Sequence, residues 1–138
     1  VTPFARNFAT GTKGSTAVGA GIALTWNSID VGTDPSTDVP ITPITTGEVL
    51  VTGVITLNNP TGAPILATIQ VQVDGSAVAT FSATTIAAGA EASIPFVAEA
   101  GVLSLAQHIV TVTIDGNGLT TVSDGSSINV EEVPLSTG

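Results

Sequence analysis

Histidine occurs once in the 138-residue chain, at position 108. It is the first place to look for acid–base chemistry, because an unperturbed imidazole titrates nearest neutrality. Serines and aspartates are available to complete a Ser-His-Asp set, but such a set is defined by geometry and not by order along the chain. No G-x-S-x-G elbow is present. A single histidine at the edge of a strand-like run is read as structural. The expectation is therefore no enzyme, no catalytic residue and no cofactor.

Two other patterns invite a test. The stretch Gly14-Ser-Thr-Ala-Val-Gly19-Ala-Gly21 has the glycines of a phosphate cradle. It lacks the Walker lysine and opens no helix whose N–H groups would face a phosphate, so it reads as flexible chain. Asp30, Asp34 and Asp38 supply carboxylates in one loop, and Asp115-Gly116-Asn117-Gly118 supplies more oxygens. Calcium needs six to eight oxygen ligands, and neither stretch follows the EF-hand spacing, so both read as solvated turns and no metal is expected.

The residues left are suited to protein contact. Phe4 and Phe8 are the only large anchors of a Gly/Ala/Thr-rich start, and they need a body or a partner to bury them. Arg6 and Lys13 are the only two basic side chains, against eleven acids and a net charge of −9. Trp26, the single tryptophan, reads first as a core aromatic and second as an interface anchor, tryptophan being enriched at hot spots. Phe4, Arg6, Phe8, Lys13 and Trp26 form the candidate contact set.

Charge excludes several partners. Binding to nucleic acid requires a basic footprint that displaces counterions, and attachment to an anionic membrane requires the same. No such footprint exists between Gly14 and Gly138. No run of about 18 apolar residues predicts a transmembrane helix, and no basic, then apolar, leader opens the chain. A start at Val1 without any Met fits removal of an initiator, and a cleaved leader would look the same. Without cysteine there is no disulfide or thiolate metal site. Charged residues are 9% of the chain, against about a quarter in ordinary soluble domains. A surface so poor in long charged side chains is expected to meet other proteins.

The elements that position these residues are strands. Apolar residues are 43% of the chain and mean hydropathy is +0.52; Val, Ile, Ala and Leu dominate the apolar set and Thr is abundant, and the β-branched residues among them suit a pleated surface. Residues 1–21 read as an extended N-terminal arm, and 22–138 as a single domain. Strands are expected at 22–29, 48–57, 65–73, 77–83, 92–97, 108–115, 119–123 and 127–133. Residues 30–43 form a proline- and aspartate-rich loop, and 98–105 is the one place for a helical turn. In 65–73, Ile69, Val71 and Val73 share one face, with Thr68, Gln70 and Gln72 on the other. Asp74-Gly75 predicts a type I′ hairpin. Asp124-Gly125 predicts a second turn, and Pro95 predicts an edge position or a bulge. The sum is all-β: an antiparallel jelly-roll β-sandwich of about eight strands.

The run 70–133 resembles bacterial and phage jelly-roll domains of the C1q/TNF-like kind, through VQVDGSAVAT, SIPFVA, QHIVTVTI and SINVEEV. Small, acidic, cysteine-free domains of this type also look like the decoration, or cement, proteins of tailed bacteriophage capsids. That resemblance implies a structural virion protein assembled in the host cytoplasm. It would bind the outer surface of the shell as a homodimer or homotrimer and stabilise contacts between copies of the major capsid protein. The alternative it implies is a receptor- or glycan-binding module of a phage fibre or a bacterial surface structure.

Overall fold

The computed structural model describes residues 4–12, 22–32, 36–45 and 47–133. Among them are eleven strands and no helix: β1 (Arg6–Thr12), β2 (Ile22–Ala23), β3 (Trp26–Ile29), β4 (Val39–Ile41), β5 (Glu48–Asn58), β6 (Ile65–Val73), β7 (Ser76–Thr80), β8 (Thr84–Ile86), β9 (Glu91–Val102), β10 (His108–Asp115) and β11 (Thr120–Glu132). One sheet runs β3-β1-β11-β5-β9. The other runs β2-β10-β6-β7, with β4 beside β10 and β8 beside β6. Every pairing is antiparallel. The expected all-β sandwich is what forms.

Alternation selects what lies between the sheets. From β6 come Ala67, Ile69, Val71 and Val73; from β10 come Val110, Val112 and Ile114, opposite them in register. The facing sheet contributes Val49, Val51, Ile55 and Leu57 of β5, Ile128 and Val130 of β11, and Trp26 of β3. Fully burying such aliphatic side chains stabilises the fold by about 1.5–3 kcal/mol each. Gly53 faces inward from β5, and the Phe96 ring occupies the place its side chain would take. A Cβ there would fall on the Ser127 carbonyl oxygen and within 2.7 Å of the ring.

Several sequence expectations are corrected. Residues 6–12 are not an arm: β1 lies inside the five-stranded sheet, between β3 and β11. Residues 13–21 lie outside the described set. Asp124-Gly125 does not separate two strands; it sits in a bulge where the β11–β5 register shifts between Val122 and Ser127. The bulge is closed by the Ser126 hydroxyl, which accepts from Thr56 N (3.0 Å) and donates to Val122 O (2.8 Å). Part of 30–43 is β4, and 98–102 continues β9 where a helical turn was considered. Shorter strands raise the count from eight to eleven. Asp74 and Gly75, by contrast, have φ of 53° and 83°, as the type I′ turn requires. Pro95 lies in β9, which ends its sheet, so its missing N–H leaves no ladder partner unsatisfied.

Glu132, near the end of β11, is buried. Its Oε1 accepts from Ala5 N (3.0 Å) and Ile44 N (2.9 Å), and its Oε2 from Thr45 N (2.8 Å) and Gly47 N (3.0 Å). Burial pushes this carboxyl up, but the four N–H groups outweigh burial and hold it well below the usual carboxylate range. One side chain thereby ties the entry to β1 and the β4–β5 connection to the last strand.

Two outcomes follow. Glu132→Ala should cost about 3 kcal/mol in urea unfolding, since it removes a charged acceptor from four backbone donors, that of Gly47 buried and the others part-buried; Glu132→Gln should cost a similar amount, because its NH₂ faces N–H groups. A depressed folded pKa contributes stability above the unfolded value near 4.5 and loses it as pH falls toward the folded value. Wild-type stability should therefore drop below about pH 4.5, with a shallower acid slope in Glu132→Gln. Gly53→Ala should cost about 1–3 kcal/mol by overpacking, measured in the same way.

Candidate functional site

Side chains alternate across the five-stranded sheet, so its outward face is read off the register in rows. Arg6, Glu131, Leu50 and Glu99 form one row across β1, β11, β5 and β9. Phe8, Asn129, Thr52 and Val97 form the next, and Thr10, Ser127, Val54 and Pro95 a third. Charge is confined to the first of these rows; the other two are apolar or neutral. Val97 is 62% exposed and Phe8 37%. The Arg6 guanidinium lies 5.4 Å from the centre of the Phe8 ring, and its Nε donates to Asn129 Oδ1 (2.8 Å).

The face is hollowed along β11. Ser127 is short, and Gly125 and Ser126 belong to the bulge, so little rises between β1 and β5. An open depression of about 670 Å³ results, walled by Thr10, Asn27, Ser28, Val54 and Asp124. A second, of about 250 Å³, adjoins it at Thr10 and Ser127 and is rimmed by Arg6, Phe8, Thr52 and Asn129. Beside this trough, β9 forms the open edge of the same sheet and projects Pro95, Val97 and Glu99.

The structure brings Arg6 and Phe8 of the candidate contact set together on this face. Phe4 is half-buried just before β1, and Lys13 lies outside the described residues. Trp26 is corrected as a contact residue: at 0% exposure it belongs to the core and presents nothing to a partner. Asp30, Asp38 and Asp115 are exposed, and Asp34 lies outside the described residues. Among the described residues no group of three or more His, Cys, Asp or Glu converges on one point. Leu50, Val97 and Glu99 were not singled out from sequence. Their signal was present in the alternation of β5 and β9, but an outward valine in a strand looks the same as an inward one.

The sequence also could not show that His108 has company. Its Nδ1 lies 2.6 Å from Asp74 Oδ2; its Nε2 lies 2.9 Å from the Ser104 carbonyl oxygen and 3.1 Å from Ser104 Oγ. Asp74 Oδ1 also accepts from Ile109 N (2.9 Å). The hydrogen bond to Asp74, opposed by burial and aided by the Ser104 carbonyl, raises the imidazole above its usual 6.5. Asp74 is lowered in turn, by His108 and by Ile109 N. A carboxylate at Nδ1 and a carbonyl at Nε2 can only accept, so the geometry fits an imidazolium that donates from both nitrogens. A protonated Nε2 cannot take the proton of Ser104 Oγ. In this state the trio is a clamp, and Ser104 is not an activated nucleophile.

No family model matches the chain, and no curated protein is similar to it in sequence. Solved structures are similar in fold. Eiger TNF from S. frugiperda superposes with a TM-score of 0.60 at 12% identity, over 99% of this chain and 97% of that one. Murine APRIL gives 0.53 at 12%, over 94% and 99%. The CBM36-1 domain of a multidomain xylanase from the hindgut metagenome of Trinervitermes trinervoides gives 0.51 at 9%, also over 94% and 99%. The fold is thus a jelly-roll β-sandwich of the TNF-like kind.

Trp26→Ala should destabilise the protein by about 3–5 kcal/mol. Because this is the only tryptophan, wild-type fluorescence should be blue-shifted when folded and move to the red in one step with urea.

Proposed function

We propose that this chain is a non-enzymatic assembly module that packs copies of itself through the outward face of the five-stranded sheet. The observation that carries this reading is a trough with a mostly neutral lining, Asp124 in its wall and Arg6 on its rim, lying beside a projecting edge strand on the same sheet. Val97 of β9 in one copy suits the apolar rim made by Phe8 and Thr52 in the next. Arg6 and Glu99 stand at opposite ends of one row, about 14 Å apart at ordinary strand spacing. They are too far apart to pair within a chain and well placed to pair between chains. Edge into face is a heterologous contact, which forms a ring where its rotation closes and a filament where it does not; we take the closed form, a homotrimer, over a two-fold dimer.

What the module builds is the finer part of the proposal. An acidic, charge-poor jelly roll without a basic surface suits a decoration protein on the outside of a virion. There it would bridge copies of the major capsid protein, after assembly in the host cytoplasm. A second reading, a receptor- or glycan-binding module of a fibre or bacterial surface structure, is favoured by the hydroxyl- and amide-walled trough and by the likeness to a CBM36 domain. Copies packed on that face would close the trough, so the two readings compete for one surface.

Native mass spectrometry should show a multiple of the 13.6 kDa chain mass. Val97→Glu should return it to one chain with an unchanged β circular-dichroism spectrum. Arg6→Glu should weaken assembly, and Glu99→Arg added to it should restore assembly. A wild-type monomer at high concentration sinks the self-association. Failure to co-sediment with capsids, combined with specific signals on a glycan array, moves the function to the second reading.

A further inference from the structure

The clamp at one end of the sandwich does something that the assembly face does not. Residues 103–107 connect β9 to β10, crossing from one sheet to the other. Leu103 anchors the connection through its N–H to Gly47 O (2.6 Å) and packs against the core. The next four residues are exposed. Gln107 borders a pocket shared with Arg6 and Pro40, and Ser104 is hydrogen-bonded to His108 Nε2, whose Nδ1 leads onward to Asp74 in the β6–β7 turn. We infer that Asp74, Ser104 and His108 form a proton-operated latch, closed by the imidazolium, that holds the 103–107 connection to the β6–β7 turn and releases it when one ring proton is lost.

The reason is a count of donors. An imidazolium has two N–H groups for two obligate acceptors, the Asp74 carboxylate and the Ser104 carbonyl. A neutral ring has one. With Nδ1–H kept by the carboxylate, the Nε2 lone pair would face the Ser104 carbonyl oxygen, which repels it. The ring can then accept only from the Ser104 hydroxyl at 3.1 Å, which requires the Ser104 backbone to turn its carbonyl away. The elements against the ring bring Asp74 from the turn, Ile41 of β4 across the ladder, and Ser104. Asp74 is the charged group among them. His108 is 12% exposed and Asp74 51%, so the partner is screened by water and the latch acts on a local segment, not on the whole fold.

The sign is set by both partners. The raised imidazole gives its contribution below the unfolded value near 6.5 and loses it as pH climbs through the raised folded value. The lowered Asp74 gives its contribution above the unfolded value near 3.8 and loses it as pH falls through the lowered folded value. The latch is closed between those limits and opens at either side. Opening loosens the end of the sandwich where Ile44, Val102 and Leu105 are exposed.

The test uses the full chain, in which the lone histidine gives a single imidazole Cε1–H signal. Wild-type should titrate above 6.5. Asp74→Asn, which keeps the acceptor for Ile109 N and tolerates the left-handed backbone at this position, should bring the midpoint down. Heteronuclear NOEs of amides 104–107 should be high at pH 6 and fall once the imidazole signal has moved. His108→Gln should show the low values already at pH 6; if that variant does not fold, the wild-type comparison decides alone. A wild-type midpoint at or below 6.5 overturns the inference, and so do NOEs at 104–107 that stay the same on both sides of the midpoint.

Discussion

A buried carboxylate with four backbone donors holds the open end of this jelly roll together. β1 enters the sheet at Ala5, the β4–β5 connection crosses at residues 44–47, and both are fixed by Glu132 at the end of the final strand. Isolated charge is costly in a protein interior, and here it is stabilised by four backbone N–H groups, with the Thr45 hydroxyl as a further, longer donor to Oε2 (3.4 Å). The carboxylate and the loop need one another. Remove either, and the β4–β5 connection loses its tie to the end of the β1–β11 ladder.

The same logic recurs in neutral form. Asn7 points inward from β1, donates to Val31 O (2.9 Å) and Pro40 O (2.6 Å), and accepts from Val31 N (2.9 Å). It stitches β1 to the β3–β4 connection and to β4 itself. Asn59, fully buried, donates to Ala63 O (2.8 Å) and Ile86 O (3.0 Å). The apolar core supplies most of the stabilisation, and these satisfied polar side chains specify how the connections close over it. The outward face of the five-stranded sheet keeps its charge in the row of Arg6, Glu131 and Glu99 and leaves the next two rows uncharged, which is the property the assembly reading rests on.

Legibility followed the strength of alternation. The inward faces of 65–73 and 108–115 were visible because β-branched residues alternate there with Thr and Gln, and the turn between β6 and β7 was visible because Asp-Gly suits positive φ. Pro95 marked an edge, since proline cannot serve a central ladder. β1 was misread as an arm because its inward residues, Asn7, Ala9 and Thr12, are polar or small. The partners that satisfy buried Asn7 are 24 and 33 residues away, which no local pattern reveals. Asp124-Gly125 was misread as a turn between two strands because the same dipeptide serves a bulge when Ser126 closes it. Of the residues proposed for contact, Arg6 and Phe8 were singled out by rarity of type, whereas Val97 and Glu99 needed the strand order.

Composition and periodicity by themselves determined the class of fold, the absence of a basic footprint for phosphate partners, and which face of the regular strands turns inward. Those properties are local: they depend on residue type and on a period of two. Strand order, the place of β1 inside the sheet, the trough over β11, the meeting of Asp74 with His108 and the nest around Glu132 were decided only by tertiary structure. Each brings together residues far apart in sequence, from 34 positions for Asp74 and His108 to 127 for Ala5 and Glu132. Such contacts form only once the sheets have closed on their shared core.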